Sequence, residues 1–209
     1  MTKAKFLCLI LLILPLAAWS ISFIGVDTGL LFIITTEAAG APNPVILQGI
    51  GMTLPLVEAP MFFLDVGLLF SGCQYMYLNN RAIPADNELA NTIWTLFPQL
   101  EILVGIPIKF SDSVSMGVGL GPAFVFPLPL FAADSGDAYR SSMFDFFYGK
   151  LRLFYGEFEL FLRIAIVKGA DLRLKVRGLY ALSTLWDDPA VNRWNGLQIQ
   201  GLVSIEAHL

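Results

Sequence analysis

The chain is short of the residues that most catalytic and metal chemistry needs. It holds one histidine, His208, and two cysteines, Cys8 and Cys73, and only 14% of its 209 residues are charged, against roughly 25% in soluble domains. A histidine-based triad has its one candidate base a single residue from the C-terminus, so no enzymatic activity is expected. The cysteines show no CxxC or Cys/His spacing and give no zinc site. No glycine-rich phosphate loop appears either, and no cofactor is expected. Thirteen Lys and Arg stand against 17 Asp and Glu with no basic run, which leaves nucleic-acid binding without a footing.

Clean helical membrane spans are missing too. The longest uncharged run of the interior, Ser113 to Ala133, contains Gly117, Gly119, Gly121, Pro122, Pro127 and Pro129 and is a poor helix. A polytopic helical protein needs spans of about 20 apolar residues. Yet 56% of the chain is hydrophobic and its mean hydropathy is +0.68, which points to a membrane. The length suits one domain.

Residues 1–20 read as a secretory signal peptide: Lys3 and Lys5 precede the apolar run Phe6 to Trp19, and Ala18-Trp19-Ser20 is a small-x-small exit. The expected cleavage follows Ser20 and leaves residues 21–209 as one domain. Cys8 leaves with the signal, so Cys73 has no partner in the remaining chain.

Beyond residue 20 the dominant period is two. Phe158, Leu160, Leu162, Ile164 and Ile166 alternate with Glu157, Glu159, Phe161, Arg163 and Ala165; Leu172, Leu174 and Val176 alternate with Asp171, Arg173, Lys175 and Arg177. Similar alternation runs over Phe62–Ser71, Trp94–Phe110, Ser113–Leu128 and Leu197–Leu209, with weaker strands over Phe23–Thr36 and Pro44–Val57. In each of the strongly alternating segments that carries charge, the charges share one parity. Period two over so many segments, with charge on one face and lipid-like side chains on the other, predicts an all-β, transmembrane, up-and-down antiparallel barrel of eight strands. Short links (Glu58-Ala59-Pro60, Ser111-Asp112, Lys168-Gly169-Ala170) alternate with long ones (Glu37–Asn43, Leu78–Ala90, Pro129–Lys150, Thr184–Trp194), as turns at one end and loops at the other require. Pro55, Pro98, Pro107 and Pro122 fall inside these strands, where each lacks a ladder donor. Phe144 to Phe154 reads as an extra hairpin arm or as the far end of an overlong sixth strand. Trp94, Trp186, Trp194, Tyr75, Tyr77, Tyr139 and Tyr148 gather near the long-loop end and are expected to form an interfacial belt.

This arrangement resembles the small eight-stranded outer-membrane barrels of diderm bacteria, the group containing outer membrane protein W and the barrel half of outer membrane protein A. The resemblance covers nearly all of Ile21 to Leu209 and rests on architecture. It implies residence in the outer membrane, contact with its lipid and recognition of the last strand, Asn195 to Leu209, by the barrel-assembly machinery. That strand usually ends in an aromatic residue. Leu209 departs from this in a way that a lineage distant from the enterobacteria, such as a spirochaete, would tolerate.

Eight strands enclose just enough room for side chains or one small ligand. Inward parity sends Asp65, Glu101, Glu157, Glu159, Arg163, Arg173, Lys175, Arg177 and Glu206 to the lumen as a charge cluster, joined by Asp27, Lys109, Asp171 and His208. Strand pairing predicts Arg173 near Glu206 and Arg177 diagonal to Glu159. Two readings follow: a salt-bridge plug, or a charged constriction or ligand site. Phe63, Leu69, Phe97, Leu103, Phe161, Leu179 and Leu202 share the inward parity, which suits either a packed interior or the narrow apolar route that the resemblance to outer membrane protein W implies. The expected function is a narrow channel or transporter for a small, apolar solute, slightly ahead of a structural or surface-binding, adhesin-like barrel.

Overall fold

The computed structural model describes residues 22–34, 44–55, 62–78, 80–85, 92–131, 136–185 and 196–209. Residues 1–20, expected to be a signal peptide, lie outside the described residues, as do the link at Glu58-Ala59-Pro60, Glu37–Asn43, Trp186 and Trp194. No described helix is long and apolar enough to cross a membrane, so the apolar surface belongs to strands.

Among the described residues ten strands follow one another: β1 Phe23–Ile34, β2 Val45–Pro55, β3 Phe63–Leu78, β4 Arg81–Pro84, β5 Ile93–Lys109, β6 Val114–Val125, β7 Leu128–Pro129, β8 Phe154–Val167, β9 Ala170–Ala181 and β10 Leu197–His208. Eight of them are staves. Each stave pairs antiparallel with its neighbours, β1 pairs with β10 from Phe23↔His208 to Ile34↔Leu197, and β3 pairs with β5 to complete the ring. The result is the predicted closed, antiparallel, eight-stranded barrel. β4 and β7 are short additions that pair with the ends of β3 and β5.

The alternation of the sequence becomes inside and outside. Val26, Ile50, Leu120, Val176 and Ile205 are 57–63% exposed on the outer wall. Their sequence neighbours face in. Closing the sheet removes every stave edge, so the backbone needs no water along the wall.

The strand prolines sit where the ladder is already interrupted. Pro55 ends β2. Pro98 lies opposite the break between β6 and β7, where its carbonyl still accepts from the Phe126 N–H at 2.8 Å. Pro122 faces the gap in the β5–β6 ladder at Ile102–Leu103. At that gap Gly121 is required for space: a Cβ there would lie 1.9 Å from the Ile102 carbonyl oxygen. Pro107, by contrast, pairs with Gly117 two residues before the end of β5.

Two parts of the chain depart from the sequence reading. Phe144 to Phe154 is neither a hairpin arm nor a projecting strand. A helix, α1, spans Asp137–Tyr148, a 3-10 turn spans Gly149–Leu151, and β8 begins at Phe154. Period two fails there because Tyr139, Met143 and Phe147 recur at a spacing of four, which aligns them on one helical face. Within Leu78–Ala90, Arg81–Pro84 folds back on Tyr75–Leu78 as β4, turning at Asn80, whose φ is 61°. Asparagine tolerates that left-handed geometry better than most residues.

Candidate functional site

The lumen is the candidate site, and it has two unlike parts. Toward the short turns and across the middle it is ionic. Toward the long loops it is apolar and capped by α1.

The ionic part comes from alternate residues of β8, β9 and β10, with contributions from β1, β3 and β5. All nine members of the predicted charge cluster face inward. Arg163 is partly open toward the short-turn mouth, and the other eight are 0–6% exposed. Arg173 contacts three carboxylates: Asp65 at 2.5 Å, Glu159 at 2.5 Å and Glu206 at 3.2 Å. Arg177 also contacts three: Glu101 at 2.5 Å, Glu159 at 2.5 Å and Glu157 at 3.4 Å. The predicted Arg173–Glu206 contact is present. Glu159 and Arg177 are directly opposite in the β8–β9 register rather than diagonal.

The same register sets like charges face to face, Arg163 opposite Arg173 and Asp171 opposite Glu206. Such pairs alone are destabilising. They are relieved because the four groups interleave: Arg163 reaches Glu206 at 2.8 Å and Asp171 at 3.9 Å, while Arg173 takes the other oxygen of Glu206. Aromatic rings complete the layer. The Arg173 guanidinium lies 4.1 Å from the centroid of Phe161, and Phe161 meets Phe63 edge to face at 5.4 Å.

Parity also placed Asp27 in the lumen but gave it no partner. It pairs with Lys175 at 2.6 Å, across strands 148 residues apart. Strand parity alone cannot signal such a pair, because β1 and β9 do not adjoin. Lys109 and His208 reach only the mouth, where both are exposed. There His208 contacts Asp171 at 3.0 Å, beside an open vestibule of about 210 Å³ lined also by Ser111, Asp112 and Arg163.

Little space remains within the ionic layer. A cavity of about 10 Å³ lies among Asp65, Glu101, Arg173, Lys175, Arg177 and Glu206, room for about one water. Inward glycines do not open a path, because side chains already occupy their room. A Cβ on Gly67 would meet Glu101, one on Gly105 would meet the ring of Phe63, and one on Gly117 would meet the ring of Phe161.

A band of amides separates this layer from the apolar part. Gln200 Nε2 donates to Gln99 Oε1 at 2.9 Å, and Gln99 Nε2 donates to Glu101 at 3.3 Å. Beyond it, Leu31, Leu47, Leu69, Cys73, Tyr75, Phe97 and Val125 pack with Met143 and Phe147 of α1. Met143 is fully buried, and Phe147 lies 5.3 Å from Tyr75 and 6.3 Å from Phe97, ring to ring. The Tyr148 hydroxyl donates to the Pro127 carbonyl at 2.6 Å, tying α1 to the segment between β6 and β7. Burial lifts that phenol above its ordinary pKa.

The expected aromatic belt divides on the same basis. Trp94 and Tyr148 face outward at 44% and 40% exposure, whereas Tyr75 is buried inside and Tyr77 packs against Tyr139 at 6.3 Å. The seven apolar residues assigned to the lumen are all buried there. Among the described residues no group of three or more His, Cys, Asp or Glu is arranged to hold a metal ion.

No family model matches the chain, and no curated protein matches its sequence. Solved structures do match its shape. Neisserial surface protein A aligns over 90% of this chain and 96% of its own, at 9% identity and a TM-score of 0.54. The N-terminal β-barrel domain of Pseudomonas aeruginosa OprF aligns over 90% and 98%, at 8% identity and a TM-score of 0.48. The outer membrane protein OprG of the same organism aligns over 91% and 98%, at 8% identity and a TM-score of 0.46. The first of these carries the likeness of fold.

Proposed function

We propose that the chain is an outer-membrane β-barrel of a diderm bacterium whose lumen is shut, and that it works as a structural or surface-binding barrel rather than as a conduit. One observation carries this reading. The ionic layer crosses the lumen, and the cavity described among its side chains holds about 10 Å³, far below what a solute needs. The barrel form and the exposed apolar wall support residence in a membrane, since a closed barrel satisfies its own backbone in lipid. The short turns then face the periplasm, and α1 with the long loops faces outward. Lipid of the outer membrane surrounds the wall, and the assembly machinery inserts it. A kinship with outer membrane protein W rests on architecture.

The sequence put passage of a small apolar solute slightly ahead; the side chains that occupy the ionic layer favour the structural reading instead. Solute passage keeps one favouring observation: the half of the lumen behind α1 is apolar, and α1 is one short helix. No catalysis is assigned to the chain.

Single-channel recording in planar bilayers tests the proposal. The folded chain is expected to give no conductance steps. Arg173→Glu is expected to lower stability without opening a pore. Discrete steps from the unaltered chain, changed in size by that substitution, would restore the channel reading.

A further inference from the structure

We infer that α1 docks on the outer leaflet of the membrane, through an aromatic flank that meets lipid chains and through Arg140, which takes the phosphate of an anionic lipid headgroup. The inference rests on the outer-membrane reading of the barrel and names a partner for its loop end. α1 carries two apolar faces, not one. Met143 and Phe147 are buried in the core, with Tyr139 packed against it. Phe144 and Tyr148, also four residues apart and so on one line of the helix, remain 43% and 40% exposed. Asp137, Ser141 and Asp145 are exposed on a third, polar side. A helix that only plugged the lumen would need the first face and the polar one. The second apolar flank needs a partner of its own.

That flank prolongs the outer wall. Leu128 and Leu130 are 43% and 53% exposed, and the Leu130 N–H donates to the Trp94 carbonyl at 2.8 Å. Trp94 faces outward, and an outward tryptophan marks the level of a membrane interface. One residue beyond Leu130, the Phe131 ring meets Phe144 at 5.5 Å, and Phe144 meets Tyr148 at 5.9 Å. The Tyr148 hydroxyl then returns to the Pro127 carbonyl. Residues 126–131 contain no polar side chain, so the apolar surface passes from strand to helix unbroken. Arg140, one turn before Phe144, has its guanidinium carbon 5.8 Å from the Phe131 ring centroid. A cation therefore stands beside the aromatic row.

Lipid fits this surface because it already covers the wall that the flank continues. A helix with aromatic side chains on one side and a cation at their border lies in the interface, with its apolar side among acyl chains and its charge among phosphates. The lid over the apolar half of the lumen is then held from outside as well as from within. Anionic lipid tightens it and leaves the ionic layer untouched.

The test uses the full folded chain in nanodiscs of phosphatidylcholine, alone or mixed with phosphatidylglycerol. Amide exchange across Asp137–Tyr148 is expected to be about fivefold slower with the anionic lipid, and Arg140→Gln is expected to abolish the difference. In Phe144→Trp the added fluorescence is expected to be quenched by phosphatidylcholine brominated on its acyl chains. In Ala138→Trp, on the side of α1 away from the core, it is expected to stay unquenched. Equal exchange in the two lipids overturns the inference, whatever the quenching. So does an unquenched Phe144→Trp when Leu160→Trp, on the β8 wall, is quenched; quenching at neither position overturns the membrane reading beneath it. Slower exchange that appears only with two chains in one disc assigns the flank to a second copy and also overturns it. If Phe144→Trp does not fold, the lipid dependence of exchange in the unaltered chain and its loss in Arg140→Gln decide. Bilayer conductance with the lipid dependence intact would overturn the closed lumen and leave the lipid site standing.

Discussion

The two halves of the lumen are filled by opposite means. The ionic half is closed by the staves themselves, around two hubs, Arg173 and Arg177, that each answer to three carboxylates. The apolar half is closed by a separate piece, α1, that inserts Met143 and Phe147 from outside the sheet. Charges such as Arg173 and Arg177 are held by geometry that cannot relax without leaving a buried ion unpaired, whereas α1 can leave and expose only apolar surface. The ionic half should therefore unfold with the barrel, and the apolar cap should open on its own.

Removing a hub tests this most severely. Arg177→Ala leaves Glu101, Glu157 and Glu159 without their shared cation and is expected to cost about 3–5 kcal/mol, read as a lower urea midpoint. An unchanged midpoint would show that the layer is not what closes the barrel. Next comes the outer wall beside that hub. Val176→Arg, facing outward one residue from Arg177, is expected to cost about 2–4 kcal/mol in lipid if Val176 lies near the midplane. The same substitution in a water-exposed wall would cost almost nothing.

The cap should behave differently. Phe147→Ala is expected to increase proteolysis and amide exchange across Asp137–Tyr148 while the global midpoint moves by no more than about 1 kcal/mol, because the lid detaches before the barrel unfolds. A loss of about 3–5 kcal/mol, as for a core phenylalanine, would make α1 part of the barrel's cooperative unit. The smallest effect belongs to the tether: Tyr148→Phe removes the bond to the Pro127 carbonyl and is expected to cost about 1 kcal/mol, confined to lid exchange.

The ionic half was readable in the sequence and the cap was not, for one physical reason. A strand shows its inside by parity, so Glu157, Glu159, Arg173 and Arg177 could be placed from their numbers alone. Their partners along adjoining strands followed, and Arg173 with Glu206 is the case in point. Partners across the lumen did not, since the Asp27–Lys175 contact depends on barrel closure rather than on neighbouring register. In α1, Asp137, Arg140, Ser141, Ser142 and Asp145 interrupt the apolar positions, and the segment follows a run of period-two strands. Its helical spacing is short enough to pass for loop. β4 was hidden by its length of four residues and by Pro84, an ordinary turn residue.

The pairing of Asp27 with Lys175 also has a consequence in time. These residues lie 148 positions apart, and β1 meets its second neighbour only when β10 arrives. Contacts so distant along the chain form late and slowly. Until that seam shuts, Lys175 and Arg177 stand on a curved but open sheet, still hydrated. Desolvation of this pair therefore waits for the seam to close, and a chain that stalls before it leaves Asp27 and Lys175 apart.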